Sequence, residues 1–595
     1  MNVLRKLSAI VFLVCLSLNV NAQQVQLPKG MTEYEKTIME DYLQTFNDRG
    51  ITTPPPYTNI RNMAEWEESE ALVITWTGGF NSIQAQIVDA AQDECIVIIH
   101  CTDSNNVKST LSGYGVPDVN IEYIEVAYNS IWIRDYFANT CYSNYVEDRF
   151  FVDWIYNRPR PDDDLISEAT AAYMGIDIYS MTANPTRFMA TGGNWMTDGA
   201  GNAFSSELIL DENDGTGDNG LSYPNHTEND IDQMMNDWMG INTYIKMTVL
   251  PYDDIHHIDM HMKLLDEETL LVGEYPAGVS DGPQIEANLQ YVLSNFTTKF
   301  GTPFKVYRIP QPSSVGGGYP GSGGYYRTYA NQTMVNNTIL LPTYRAEYDT
   351  IALGILDTIL PGYNIVPIDV DNSGQNLISL SGAIHCITHT VGVENPVYIS
   401  HKKLENTTDV LNPYQADATI MHINGIQAAS IWYKTDIAGT YTAVPMINTS
   451  GDTWSGLIPA QPAGTTVYYY VEGTAVGGKQ LTHPFPAPAG YHKFKVSGSG
   501  GGSGIDEVNP LGMNDIYPNP ASAITVIPVH TNRTIKNARI ILTNMVGQIV
   551  EVIYEGELPQ GDKNFFFDAS QYAAGMYQVM IQSEEYKVYQ KVVIK

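Results

Sequence analysis

Cys386 stands between two histidines in the stretch "SLSGAIHCITHT" (residues 379–390), in a chain of 595 residues that carries only five cysteines. A thiol can act as a nucleophile when neighbouring positive charge stabilises its anion and an acid serves the leaving group. A second constellation, "DIHHIDMHMKLL", begins at Asp254. Read as an extended strand, it projects His257, Asp259 and His261 from one face, because side chains alternate at period two. Two chemistries fit that face. As ligands, two imidazoles and a carboxylate suit zinc or iron in a metal-dependent hydrolase. As organic catalysts, His257 moves a proton near neutrality and Asp259 holds a cation. His257 is preferred over His385 as the proton carrier, since His385 is expected to point to the other side of its strand. A third stretch, "NSIWIRDYF" (129–137), sets Asp135 beside Trp132. A carboxylate can take two N–H bonds from a planar guanidinium while an indole stacks on its face.

The remaining cysteines read as structural. Cys95 and Cys101 bracket "CIVIIHC", a buried-strand pattern. Six residues at about 3.3 Å each carry them well past the roughly 7 Å limit for a disulfide. They are expected to be small core hydrophobes. Cys386, with glycine and histidine neighbours, is expected at a strand-to-turn junction where a reagent can reach it.

These groups must be positioned by a large scaffold. The length predicts several domains. The first 22 residues read as a signal peptide: Arg5 and Lys6, an apolar run from Ile10 to Val20, then a small-residue cleavage pattern ending at Ala22. Export follows. No later segment has the roughly 20 apolar residues a spanning helix needs. With 66 acidic and 32 basic residues the formal net charge is −34, which argues against nucleic-acid partners and favours cationic ligands.

From residue 31 to 398 apolar strands ("ALVITW", "CIVIIHC", "LLVGEYP", "TILLP", "PVYIS") alternate with amphipathic helices ("NSIQAQIVDAAQ", "DGPQIEANLQYVLSNF"), an α/β pattern. In the second helix Ile285, Leu289, Val292 and Leu293 share a face, and Glu286, Asn288 and Gln290 are expected to meet water. From 400 to 496 short alternating strands predict an immunoglobulin-like β-sandwich. A Gly/Ser linker (497–504) leads to a last all-β unit, 505–595. The acidic loop 211–220 spaces oxygen ligands as a structural calcium site could, though unlike a full EF-hand. No other cofactor is expected.

Taken together, "IWIRD", "TGGNW", "HHID", "RTYANQ" and "GAIHCIT" resemble, in order and approximate spacing, the agmatine deiminase and bacterial peptidylarginine deiminase family over residues 31–398. The resemblance implies the pentein fold, a five-bladed α/β propeller with an axial active site. It implies that Asp135 and Asp259 clamp the guanidinium, His257 acts as acid and base, Cys386 attacks the guanidino carbon through a thiouronium intermediate, and Asn331 positions the nucleophile. No metal is then needed. The chain departs from the family where agmatine deiminases carry a triple glycine before Ile-His-Cys. Residues 517–520 (YPNP) and 575–579 (GMYQV) resemble the C-terminal sorting domains of the type IX secretion system of Bacteroidetes, which would make that machinery a partner and implies passage through the periplasm and outer membrane, followed by release or attachment to the cell surface.

Arg158 and Arg160, one proline apart, could both project toward one ligand. In secreted bacterial peptidylarginine deiminases a similar pair binds the α-carboxylate of C-terminal arginine, so the expected reaction is peptidylarginine to citrulline with release of ammonia. Asp162, Asp163 and Asp164 could instead neutralise these arginines. Agmatine deiminase, a metallohydrolase built on His257, Asp259 and His261, and a non-catalytic surface adhesin are the competing readings.

Overall fold

One unit recurs through the first two thirds of the chain: an antiparallel pair of strands, a helix, and a strand that returns parallel to the second. In the computed structural model, which describes residues 26–215, 224–497 and 511–595 apart from 514–515, 518, 522–523, 545–546 and 584–585, this unit builds five sheets of three or four strands. The first 22 residues, read above as a signal peptide, most of the Gly/Ser linker and residues 216–220 of the acidic loop lie outside the described residues.

Strands Asn202–Ser206 and Thr243–Met247 run parallel around helix Glu228–Met239, and Thr269–Glu274 and Lys305–Pro310 do so around Gly282–Asn295. Thr338–Thr343 and Asn364–Asp369 repeat this around Ala346–Ile359. The chain closes on itself, because His389–Gly392, late in sequence, pairs antiparallel with Ser69–Thr75. Such strands are covered on both sides, so they read as continuous apolar runs; Ala71, Leu72, Val73 and Ile74 are fully buried. The expected helices over 81–92 and 281–296 are present as Asn81–Ala91 and Gly282–Asn295. Asn288 corrects the expected face: it is buried, because its amide donates to the Thr248 carbonyl at 2.8 Å.

Immediately before the first strand of each unit the chain makes a short helical turn or tight loop. Ile133–Tyr136 precedes Asn139–Tyr142, Gly192–Asn194 precedes Met196–Thr197, Ile258–Met260 precedes Met262–Asp266, and His385–Ile387 precedes His389–Gly392. Asn331 holds the equivalent place before Thr333–Val335. Every residue expected to do chemistry, save Arg158 and Arg160, comes from one of these segments or the residue flanking it.

Beyond residue 397, strand Tyr398–His401 pairs with Tyr414–Met421 rather than with any strand of the five sheets. Two sheets enclose an apolar core that includes Ile420, Ile431, Val467 and Val471. Tyr414–Met421 alternates buried and exposed residues, as a strand with one wet face must. Residues 511–595 form two further sheets around Ile540, Leu542, Val579 and Ile581. Among the described residues no helix is long and apolar enough to cross a membrane.

The four cysteines of the described chain are unpaired. Burial pushes the Cys95 and Cys141 thiols up to about 12. An unfolded chain releases these protons near the ordinary thiol value of 9, so the folded state binds more protons above it. Stability is therefore expected to fall as pH rises from about 9 toward 12, by about 1.4 kcal/mol per pH unit for each such thiol; urea midpoints across that range check this.

Candidate active site

Cys386 is fully buried in its turn, which corrects the expectation of a reachable thiol. Its sulfur accepts from the Nδ2 of Asn331 at 3.2 Å, and Asn331 also accepts through Oδ1 from the backbone N–H of His385 at 3.1 Å. The asparagine thus ties the turn that carries Cys386 to the neighbouring unit. What closes the site is Lys29, a residue no motif marked. Its Nζ donates to the Cys386 sulfur at 2.8 Å and lies 3.7 Å from the Asp135 carboxylate and 3.8 Å from that of Asp259. Two acids and one sulfur therefore surround a single cation, with Lys29 itself 0% exposed.

The two carboxylates are held differently. Asp135 accepts from the backbone N–H of Gly193 at 3.1 Å, and burial raises its pKa against the pull of Lys29. Gly193 is required there, since a Cβ would lie 2.4 Å from the His257 Nδ1 and 2.8 Å from Asp135. Asp259 accepts from the His385 Nδ1 at 2.8 Å, and the other ring nitrogen of His385 lies 2.8 Å from Glu65. Despite burial, Lys29 and His385 hold Asp259 below the usual carboxylate range. His385 therefore faces into the site, contrary to expectation, because its backbone is a tight turn and not a strand.

Glu65 also bonds Lys263 at 2.7 Å, and although burial opposes it, Lys263 and His385 pull its carboxyl well below its ordinary value. Glu65→Gln is expected to loosen the His385–Asp259 arrangement and lower kcat/KM by about 10²-fold, since a displacement of about 1 Å at a reacting centre costs that much; steady-state kinetics check it.

His257 approaches Asp135 at 3.6 Å. Burial and Lys29 push it well below its ordinary pKa, so it is neutral in this state. The expected single face for His257, Asp259 and His261 is not formed, because Ile258–Met260 is a 3-10 turn and the strand begins only at Met262. Among the described residues no three His, Cys, Asp or Glu side chains are grouped to hold a metal ion.

Trp132, Arg158 and Arg160 all contact the backbone around Lys29. The Trp132 indole N–H donates to the Leu27 carbonyl at 2.9 Å, and the Arg158 Nε donates to that of Lys29 at 3.2 Å. Arg160 donates through Nη2 to Pro28 at 2.8 Å and Gly30 at 3.2 Å, and its Nε pairs with Glu35 at 2.7 Å. Trp132 is not stacked on Lys29; its ring packs over Gly382, leaving no room for a Cβ there. Asp162, Asp163 and Asp164 do not pair directly with these arginines: Asp164 binds Arg49, while Asp162 and Asp163 bind the 129–130 segment. The missing family glycines have a local consequence at Ser381, whose φ of 68° is the left-handed conformation that glycine adopts freely.

The sequence profile of the Porphyromonas-type peptidyl-arginine deiminases matches residues 61–391, more than half of the chain. The chain belongs to this family. The match begins after Lys29 and its helix, and takes in all five turns that carry the site. Among relatives of this peptidyl-arginine deiminase-family chain, the agmatine deiminase of Ectopseudomonas mendocina is 22% identical over 379 residues, covering 57% of this chain and 97% of its own. The solved agmatine deiminase of Enterococcus faecalis is 19% identical, covers 58% of this chain and 99% of its own, and superposes with a TM-score of 0.47. That of C. jejuni is 19% identical over 56% of this chain and 95% of its own, with a TM-score of 0.45. Residues 515–595 match the secretion system C-terminal sorting domain, so the protein is exported, as secreted or cell-surface-attached protein, by the type IX route.

Proposed function

We propose that the protein is a secreted deiminase that converts peptidylarginine, with C-terminal arginine favoured, to citrulline and ammonia. The observation that carries this reading is the placement of the Cys386 sulfur and the carboxylates of Asp135 and Asp259 around one buried cation. Two buried anions without a partner are unstable, so the site demands a cation in that place. A guanidinium is planar and offers N–H groups on two edges, one for each carboxylate. The five sheets, each opening with a site-bearing turn, suit a five-bladed propeller around this axis, and the two sheets over 398–496 suit an immunoglobulin-like sandwich.

Burial and the carboxylates push the Cys386 thiol up to about 12, with Lys29 opposing them. A guanidinium in the same place would supply that opposing charge, so the substrate itself helps to ionise its nucleophile. The thiol proton passes to neutral His257, and sulfur bonds to the guanidino carbon to form a tetrahedral adduct. His257 returns the proton to one amino nitrogen, the C–N bond breaks, and ammonia leaves a thiouronium. Water then gives a proton to His257 as its oxygen bonds to the same carbon, the C–S bond breaks as the remaining proton on that oxygen passes to sulfur to leave a ureido group and the thiol, and His257 gives its proton through solvent to the released ammonia, which restores the neutral imidazole. Overall, guanidinium and water give urea and ammonium.

Arg158 and Arg160 favour a substrate with a backbone carbonyl or carboxylate. The acid now paired with Arg160 is Glu35, on the same N-terminal segment as Lys29. The second reading, agmatine deiminase, is favoured by the curated relatives. The test is turnover of a peptide ending in arginine, a peptide with internal arginine, free arginine and agmatine, followed by ammonia release and product mass, with and without a chelator. Preference for the C-terminal arginine peptide, unaffected by chelation, is expected. A preference for agmatine would transfer the assignment to the second reading, and absence of turnover of every guanidine by the uncovered site would remove both.

A further inference from the structure

Segment 26–30 makes the contacts a bound peptide would make. Its backbone is gripped at five points: the Lys29 N–H donates to the Leu380 carbonyl at 2.9 Å, and the carbonyls of Leu27, Pro28, Lys29 and Gly30 accept from Trp132, Arg160, Arg158 and Arg160. Its side chain reaches the sulfur and both carboxylates. The Nζ of a lysine and the Cζ of an arginine are the same number of bonds from the backbone. Lys29 therefore puts an ammonium, which has no electrophilic carbon, where the reacting carbon of an arginine would stand. Six residues on, Glu35 offers Arg160 a carboxylate.

The attachment of this segment is peripheral. Residues 26–50 add no strand to the five sheets, and helix Glu33–Thr45 buries Met39 and Leu43 in a small cluster with Ile155 and Met189, separate from the main core. Glu35 caps its own helix through Thr32 while it pairs with Arg160. Arg49 adds ion pairs to Asp153 and Asp164. After that the connection to the body runs through a largely exposed proline-rich loop, residues 51–59.

We propose that residues 26–35 form an intramolecular pseudosubstrate: Lys29 fills the guanidinium site, Glu35 occupies an arginine that would face the substrate's carboxylate, and the exported enzyme stays latent until the segment is displaced or cut in the 51–59 loop. The proposal rests on the deiminase reading for the meaning of the site, but not for the fact of its closure. The contacts of 27–30 also trace the path of the substrate backbone. A substrate that carries both a cation and an anion, as C-terminal arginine does, matches both ends of the mimic.

Two measurements on the full chain separate the ideas. The rate at which iodoacetamide labels Cys386 reports access alone. It is expected to rise on the order of tenfold or more in Lys29→Ala and in a chain cleaved at a protease site placed in the 51–59 loop and freed of its peptide, because a short tether holds its ligand at roughly millimolar effective concentration. Turnover of an arginine-terminated peptide is expected to rise in parallel. In Lys29→Arg the segment becomes a substrate, and one ureido group at position 29 with one released ammonia per chain is expected by mass spectrometry. Unchanged labelling in both the variant and the cleaved chain overturns the proposal, as does loss of turnover in Lys29→Ala with the fold intact, which would make Lys29 part of the catalytic apparatus. Faster labelling without turnover of any guanidine would leave the pseudosubstrate standing and sink the deiminase reading.

Discussion

In the chain cut in the 51–59 loop and freed of its N-terminal segment, Cys386→Ala is expected to reduce turnover of arginine substrates by about 10⁴-fold or more, since a covalent route has no substitute when its nucleophile is removed. The expectation follows from position as much as from residue type. The sulfur lies 2.8 Å from the cation that the two carboxylates surround, and Asn331 holds its turn from a different unit of the fold. A cavity-sized loss at this site is small beside the chemistry, so the variant should remain folded and should still bind guanidines. Single-turnover measurement of ammonia, with inhibitor binding measured alongside, checks both halves. Turnover within about tenfold of the same freed chain with Cys386 intact would exclude the covalent route, because that difference corresponds to only about 1.4 kcal/mol of barrier.

Asp259→Asn is expected to cost about 10³-fold in kcat/KM. Removing one member of a buried charge pair typically costs about 3–5 kcal/mol, because the partner is left uncompensated. Asp259 serves two partners at once, the cation site and His385. It is also the more firmly ionised of the two acids: Lys29 and His385 hold it below the usual range, whereas burial raises Asp135. Asp135→Asn should therefore be the milder of the two changes, and comparison of kcat/KM for the pair, with circular dichroism as a control for folding, decides it. The same linkage predicts a stability effect of opposite sign to that of the thiols. A depressed carboxylate stabilises the fold at pH above its unfolded value, and that contribution is lost as pH falls toward the folded one.

The short motifs carried most of the reacting groups. Cys386, His257, Asp259, Asp135 and Asn331 all stood in stretches whose composition could be read without coordinates, and the structure brings them to one place. The α/β pattern and the later all-β units were likewise written in local periodicity. Where the reading failed, it failed on backbone conformation at single turns. His257, Asp259 and His261 were assigned to one strand face, but a 3-10 turn at Ile258–Met260 separates them. His385 was assigned away from the site for the same reason, although its ring anchors Asp259. A three-residue turn carries too little periodicity to register beside a strand.

By itself, then, the sequence determined which chemical groups are available, the elements that carry them and the export route, since each of those depends on residues within a few positions of one another. Only the tertiary structure decided that His389–Gly392 pairs with Ser69–Thr75 and that the turns carrying Asp135, Gly193, Asp259, Asn331 and Cys386 meet. It alone decided that Lys29, 357 positions from Cys386, enters the place of the substrate, and that Glu65 reaches His385 across 320 positions. Those contacts come from the pairing of His389–Gly392 with Ser69–Thr75 and from the docking of the N-terminal helix. Burial, not local pattern, chose which charges face one another there.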